Sequence, residues 1–300
     1  MVLTARSAVH LLSDIMDDIK IKCKAIYTTK GAAREYGRVG CNFYKGCPHE
    51  CSYFYLKRGA PSKQLGGNVA QLKKCFKNED DALEKFEKDI ERYQDLLRET
   101  GVFFSFATDP LIEETRTLTV RALQVLMRHD IPAKVLTKDA TWVIDEYTKL
   151  FFFGTLPGSG KDIQLGFTLT GRDDMEPNAS RTIKRIDIMR LLKEYHPDVK
   201  TWASIEPVID WQHANMVVDL SLDCCDHYKI GLRSGVKKDY YDLVAGGMWL
   251  DNLTKKITGV GKTVYLKESC RALLRRCYKE DYYNEIMART VDMDGKKIEL

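Results

Sequence analysis

Apolar and polar positions alternate along this chain in two rhythms. The clearest helical rhythm lies at 79–100, where Leu83, Phe86, Ile90, Tyr93 and Leu97 recur three and four apart and Gly101 follows as a stop. A second helical pattern falls within 1–22, with Val9, Leu12, Ile15, Met16 and Ile19 near one face, and 23–46 reads as irregular and Gly-rich. After residue 101 short apolar runs and amphipathic stretches take turns. Strands are expected at 102–107, 133–136, 163–170, within 199–209, at 228–232 and at 263–266. Helices are expected at 113–128, 139–150, 180–195, 211–222, 237–256 and 269–279. Strands alternating with helices predict a parallel sheet covered by helices, and right-handed crossovers repeated this often curve into a full or partial barrel. The expected fold class is α/β.

Composition narrows the class. With 44% hydrophobic and 30% charged residues in 300, the chain can bury a sizeable core. No apolar run approaches the ~20 residues of a membrane helix. Asp14, Asp17 and Asp18 stand where an export signal needs apolar residues, so a cytoplasmic location is expected. The net charge of +4 is mild and does not demand nucleic acid, although Arg271, Arg275, Arg276 and Lys279 permit it. The loop GTLPGSGKD at 154–162 superficially matches a phosphate-binding loop, but its first Gly is wrongly spaced and Asp162 replaces the Ser or Thr that holds magnesium. A surface turn is the better reading.

Nine cysteines, an odd number, argue against a disulfide framework. Six are scattered and read as buried thiols. Cys41, Cys47 and Cys51 fall within eleven residues, in GCNFYKGCPHECSYFY. Zinc would want paired C-x2-C units and a fourth ligand, and no second pair stands nearby. Iron–sulfur clusters accept thiolates from one compact loop. A cluster that also binds a substrate leaves one iron without a protein ligand and so needs three thiolates. His49 lies between two candidate ligands, and a hydrogen-bonding role is favoured for it.

This segment resembles radical S-adenosylmethionine enzymes, whose signature is C-x3-C-x2-C with an aromatic before the third cysteine. Cys47-Pro-His-Glu-Cys51-Ser-Tyr53 matches the first two ligands and the aromatic, and the surroundings are similar to the spore photoproduct lyase-like subgroup. Phe54 occupies the third ligand position. Later elements follow the subgroup's order: FFSFATDP at 103–110, Thr119-Val120-Arg121, Val135-Leu136-Thr137-Lys138, Glu176-Pro177 with Arg181 and Arg185, and Ser204-Ile205-Glu206-Pro207, the last similar to a phage-associated radical SAM family.

The resemblance implies a partial (β/α)6 TIM-type barrel with N- and C-terminal helical extensions. A single domain is expected, with a core over about 38–235 and extensions at 1–37 and 236–300. It implies a 4Fe–4S cluster on Cys47 and Cys51, with Cys41 offered as the replacement third ligand, or else simply packed. It implies S-adenosylmethionine as cofactor, with Tyr53 beside the adenine. Reductive cleavage of that cofactor would act on an unknown substrate, with a flavodoxin or ferredoxin as electron donor. Asp109, Thr168, Thr170 and Lys229 also fall near strand ends, where barrel sites open, but Thr108, Lys138 and Glu206 are the expected contacts to methionine or ribose. Asp109 can equally cap the following helix, and Arg181 and Arg185 read as a solvated helix face. Two other classes compete: a degenerate barrel that binds or regulates, on the ground of Phe54, and a zinc module.

Overall fold

A computed structural model describes residues 20–21, 23–54, 67–155, 163–197, 199–237, 239–293 and 295–298. The helical pattern expected before residue 20 and most of the 154–162 loop lie outside these.

The predicted helix at 79–100 forms as α1, Glu79–Thr100. Asn78 caps it by accepting from the Asp81 amide at 2.9 Å, and three acidic residues occupy its first turn, where the helix dipole favours them. Gly101 ends it at φ 65°, and a Cβ there would meet the Pro132 carbonyl at 2.9 Å. Ala82, Phe86, Ile90 and Leu97 are its buried face.

The strands are β1 Ile26–Thr28, β2 Val39–Cys41, β3 Tyr44–Lys45, β4 Gln71–Leu72, β5 Val102–Phe104, β6 Ala133–Thr137, β7 Ile163–Thr168, β8 Thr201–Val208, β9 His227–Leu232 and β10 Thr263–Leu266. The helices after α1 are α2 Arg116–Arg128, α3 Glu146–Leu150, α4 Thr182–Tyr195, α5 Trp211–Ser221, α6 Leu243–Gly259, α7 Glu268–Cys277 and α8 Glu280–Ala288. The main sheet runs β1-β2-β5-β6-β7-β8-β9-β10. β1 is antiparallel to β2, and every later pairing is parallel. Each crossover adds its strand on the same side as the last, which is the winding of a barrel rather than of a doubly wound sheet. The order does not close, so the barrel is partial. β2 and β5–β9 supply the six parallel strands expected, and β10 adds a seventh.

Several expectations need correction. The 23–46 stretch holds β1 and β2, each only three residues long. The described part of the N-terminal extension holds β1 and a 3-10 turn at Gly31–Glu35. The helix expected at 139–150 is split, because Asp145 leaves helical geometry (ψ 115°) and caps α3 by accepting from the Thr148 amide. α6 starts at Leu243, six residues later than expected, where Asp242 caps it.

Tyr36, just after the half-exposed turn at 31–35, packs against the barrel strands. The Tyr36 ring packs 5.4 Å from Phe103 and 6.2 Å from Trp202, and its hydroxyl reaches Ser204 and Glu206 on β8. Lys229, on β9, donates to the Glu35 carbonyl at 2.8 Å. The N-terminal segment is thereby tied to strands almost 200 residues away in sequence.

Candidate functional site

The cysteine loop is held at its base and along its length. β3 and β4 pair antiparallel and bring residues 46 and 70 together. Gly46 takes φ +77°, and a Cβ there would stand 2.3 Å from the Val69 carbonyl, so glycine is required. The Cys47 amide donates to Gly67 at 2.8 Å, and Thr108 Oγ1 donates to the Gly46 carbonyl at 2.6 Å. On the other side, the Ser52 amide donates to Met175 at 3.0 Å and Asn178 Nδ2 donates to Pro48 at 3.0 Å. The segment between β7 and α4 is therefore the second wall of the loop.

Asp109 ties this loop to the barrel. Its carboxylate accepts from the Lys138 amide at 2.6 Å, Thr137 Oγ1 at 2.7 Å and the Leu111 amide at 3.0 Å, and it lies 2.9 Å from His49 Nε2. The other His49 nitrogen faces the Asn178 carbonyl at 3.1 Å. Burial raises the carboxyl pKa, but the hydrogen bond and charge of His49 and the two amides win, holding Asp109 down to about 2. His49 thus takes the hydrogen-bonding role expected of it. Asp109 does turn the chain after Pro110, through Leu111, but most of its bonds reach outward to the loop and to β6.

These residues border a cleft of about 440 Å³ at the C-terminal ends of the parallel strands, within the size range of small-molecule sites. Cys47, Cys51, Tyr53 and Phe54 line one part of it, together with Thr108 and Lys138; Glu206 lines it as well. Cys51 is buried, and burial together with the Asp109 charge pushes the Cys47 thiol up to about 11. Lys138 Nζ stands 5.5 Å over the Tyr53 ring. Burial alone would lower its pKa, but Cys51, Glu176 and Cys47 outweigh this and raise it, so the ammonium is kept.

Behind Tyr53 lies a buried ion pair. Tyr53 donates to Glu176, whose other oxygen meets Arg185 at 2.6 Å with both side chains fully buried. Arg185 also donates to the Ser180 and Thr168 carbonyls at 2.7 Å each. Reading Arg185 as a solvated face is thus corrected: one turn away Arg181 is exposed, but Arg185 points inward because Glu176 is there to meet it.

Cys41 lies elsewhere. It sits on β2, paired with Ile26 and Phe104, wholly buried in the hydrophobic core, and burial pushes its thiol far above the ordinary range. It borders a separate small cavity with Thr108 and Asp109, not the cleft. Among the described residues no three His, Cys, Asp or Glu side chains are gathered as a metal site. Thr108 and Glu206 reach the cleft already bonded, Thr108 to Gly46 and Glu206 to Lys267 at 2.7 and 2.9 Å. Of the other strand-end residues, Thr168 lines the cleft, whereas Thr170 does not. Tyr36, Lys267 and Arg233 line the cleft without having been singled out in sequence. For Lys267 the signal was its place just after β10, a strand end.

Among the described residues, no helix is long and apolar enough to cross a membrane. No family model matches the chain, and no curated protein matches it. Among solved structures it is similar to SuiB of Streptococcus suis at 14% identity over 61% of this chain, with TM-scores of 0.46 for SuiB bound to S-adenosylmethionine and 0.45 for SuiB bound to the precursor peptide SuiA. The matched part spans 41% of either SuiB chain. A likeness of this size leaves the chemistry to be read from this chain's own residues.

Proposed function

We propose that this chain is a radical SAM-type protein whose cleft binds S-adenosylmethionine beside the Cys47–Cys51 loop and acts on a further, unidentified substrate. One observation carries the reading: Cys47, Cys51 and Tyr53, the residues that match the signature, border one cleft at the C-terminal ends of a partial parallel barrel. Lys138 offers an ammonium for a carboxylate, and Thr108 and Glu206 offer oxygens for an ammonium or ribose hydroxyls. Tyr53, fixed by Glu176, offers a ring against which adenine can stack. The spore photoproduct lyase-like subgroup, a cytoplasmic location and a flavodoxin or ferredoxin donor belong to the same proposal.

The donor set does not fit a 4Fe–4S cluster held by three thiolates of this chain. Two thiols line the cleft, Phe54 lines it in the third position, and Cys41 is in the core. Phenylalanine has no donor atom. No step through a cluster follows from these residues, and the same facts favour a second reading, a barrel that binds S-adenosylmethionine without cleaving it.

Titration calorimetry with S-adenosylmethionine, followed by assay for 5′-deoxyadenosine after anaerobic reconstitution and reduction, tests both. Binding with cleavage supports the first reading and binding without cleavage the second. Absence of binding overturns the proposal.

A further inference from the structure

We infer that the cleft carries a second recognition element, an oxyanion site centred on Arg233, and that the substrate bears a phosphate group. The inference rests on the preceding reading only in taking this cleft as the ligand site.

Arg233 follows the last residue of β9 and lines the cleft. Its backbone is pinned, because its amide donates to the Tyr241 hydroxyl at 2.8 Å. Its guanidinium lies 6.0 Å from the Tyr240 ring centroid, which positions the charge without neutralising it. Five side-chain atoms among the described residues are buried without a hydrogen-bond partner, and Arg233 Nε is the one whose residue lines the cleft. Nε itself is closed off from solvent, so what this half-buried residue offers a ligand is its charge and the terminal nitrogens of its fork.

The charge around it points the same way. Lys267 is taken by Glu206 and Glu35. Arg233 and Lys30 both line the cleft, and neither forms an ion pair among the described residues. Ser234 adds a hydroxyl to the lining, and Gly235 follows it at φ +70°, turning the chain at the strand end. The cleft wall thus carries a guanidinium fork, an exposed ammonium and an exposed hydroxyl, groups that suit a tetrahedral dianion better than a single carboxylate. Lys138 directly follows β6, with β7 and β8 between that strand and β9, so the two ends of the cleft offer separate cations for the cofactor and the substrate.

Titration calorimetry of the full chain with inorganic phosphate, at fixed ionic strength, tests this. Acetate and S-adenosylmethionine serve as parallel titrants, and the proteins are wild type, Arg233→Gln and Arg233→Lys. Saturable phosphate binding is expected in wild type, weaker by about tenfold or more in Arg233→Gln, partly recovered in Arg233→Lys, and stronger than acetate binding. S-adenosylmethionine affinity is expected to stay unchanged in Arg233→Gln, which also certifies that the variant folds. Absent phosphate binding, or binding indifferent to Arg233→Gln, overturns the site. Acetate binding as tight as phosphate overturns the phosphate class. A parallel loss of S-adenosylmethionine binding overturns it too, because Arg233 would then belong to the cofactor. Phosphate binding in a wild type that ignores S-adenosylmethionine sinks the cofactor reading and leaves the oxyanion site standing.

Discussion

His49 Nε2 and the Asp109 carboxylate lie 2.9 Å apart with both side chains buried, and through this contact the cysteine loop is fastened to the segment that follows β5. Four donors converge on that one carboxylate, from the loop, from its own turn and from β6. Removing the charge from such a site leaves donors unmatched. Asp109→Asn is expected to cost about 3–5 kcal/mol, measured by denaturant unfolding, and to weaken S-adenosylmethionine binding because Cys47 and Tyr53 lose their anchor.

The same carboxylate sets a pH dependence. Its folded pKa, about 2, lies below the ordinary 3.8, so the stability it contributes is full above the unfolded value and is lost as pH falls through the folded one. The stability gap between wild type and Asp109→Asn should hold from neutral pH to about 4 and shrink toward pH 2. Unfolding curves across that range check it; a gap that shrinks near neutral pH would assign the effect to another group.

Arg185 and Arg181 make a paired test of burial. Arg185→Met breaks the pair with Glu176 and is expected to destabilise by about 3–5 kcal/mol. Arg181→Met, one turn away and exposed, should stay within about 0.5 kcal/mol. Thermal or denaturant unfolding of both separates them, and Arg185→Met should further weaken cofactor binding by freeing Glu176 and Tyr53.

Gly46→Ala probes the base of the loop. The positive φ and the approach to the Val69 carbonyl predict a loss of more than about 1 kcal/mol. The loss should be accompanied by faster proteolysis within the 46–70 segment than in wild type.

Much of the barrel was legible in the sequence, because long amphipathic helices and apolar strands leave periodic signals. α1 could be read to the residue from Phe86, Ile90, Leu97 and Gly101. β1 and β2 could not, since three residues carry no period, and what makes β2 a strand is its long-range pairing with Phe103 and Phe104. In the site, the loop at Cys47–Tyr53 was visible as a motif. The destination of Cys41 was not, because sequence proximity to Cys47 does not reveal that β2 turns its thiol into the core. Arg185 was misread for a related reason: an Arg pair one turn apart looks solvated until a distant carboxylate, Glu176, is found buried against one of them.

The measurement that bears most directly on the account is iron and sulfide per chain after anaerobic reconstitution of wild type and Phe54→Cys, with Cys41→Ala as a companion. If the cleft is a radical SAM site with one ligand position filled by phenylalanine, Phe54→Cys should rise to about four irons per chain while wild type stays well below, and Cys41→Ala should leave the wild-type value unchanged. Equal iron in wild type and Phe54→Cys would contradict it.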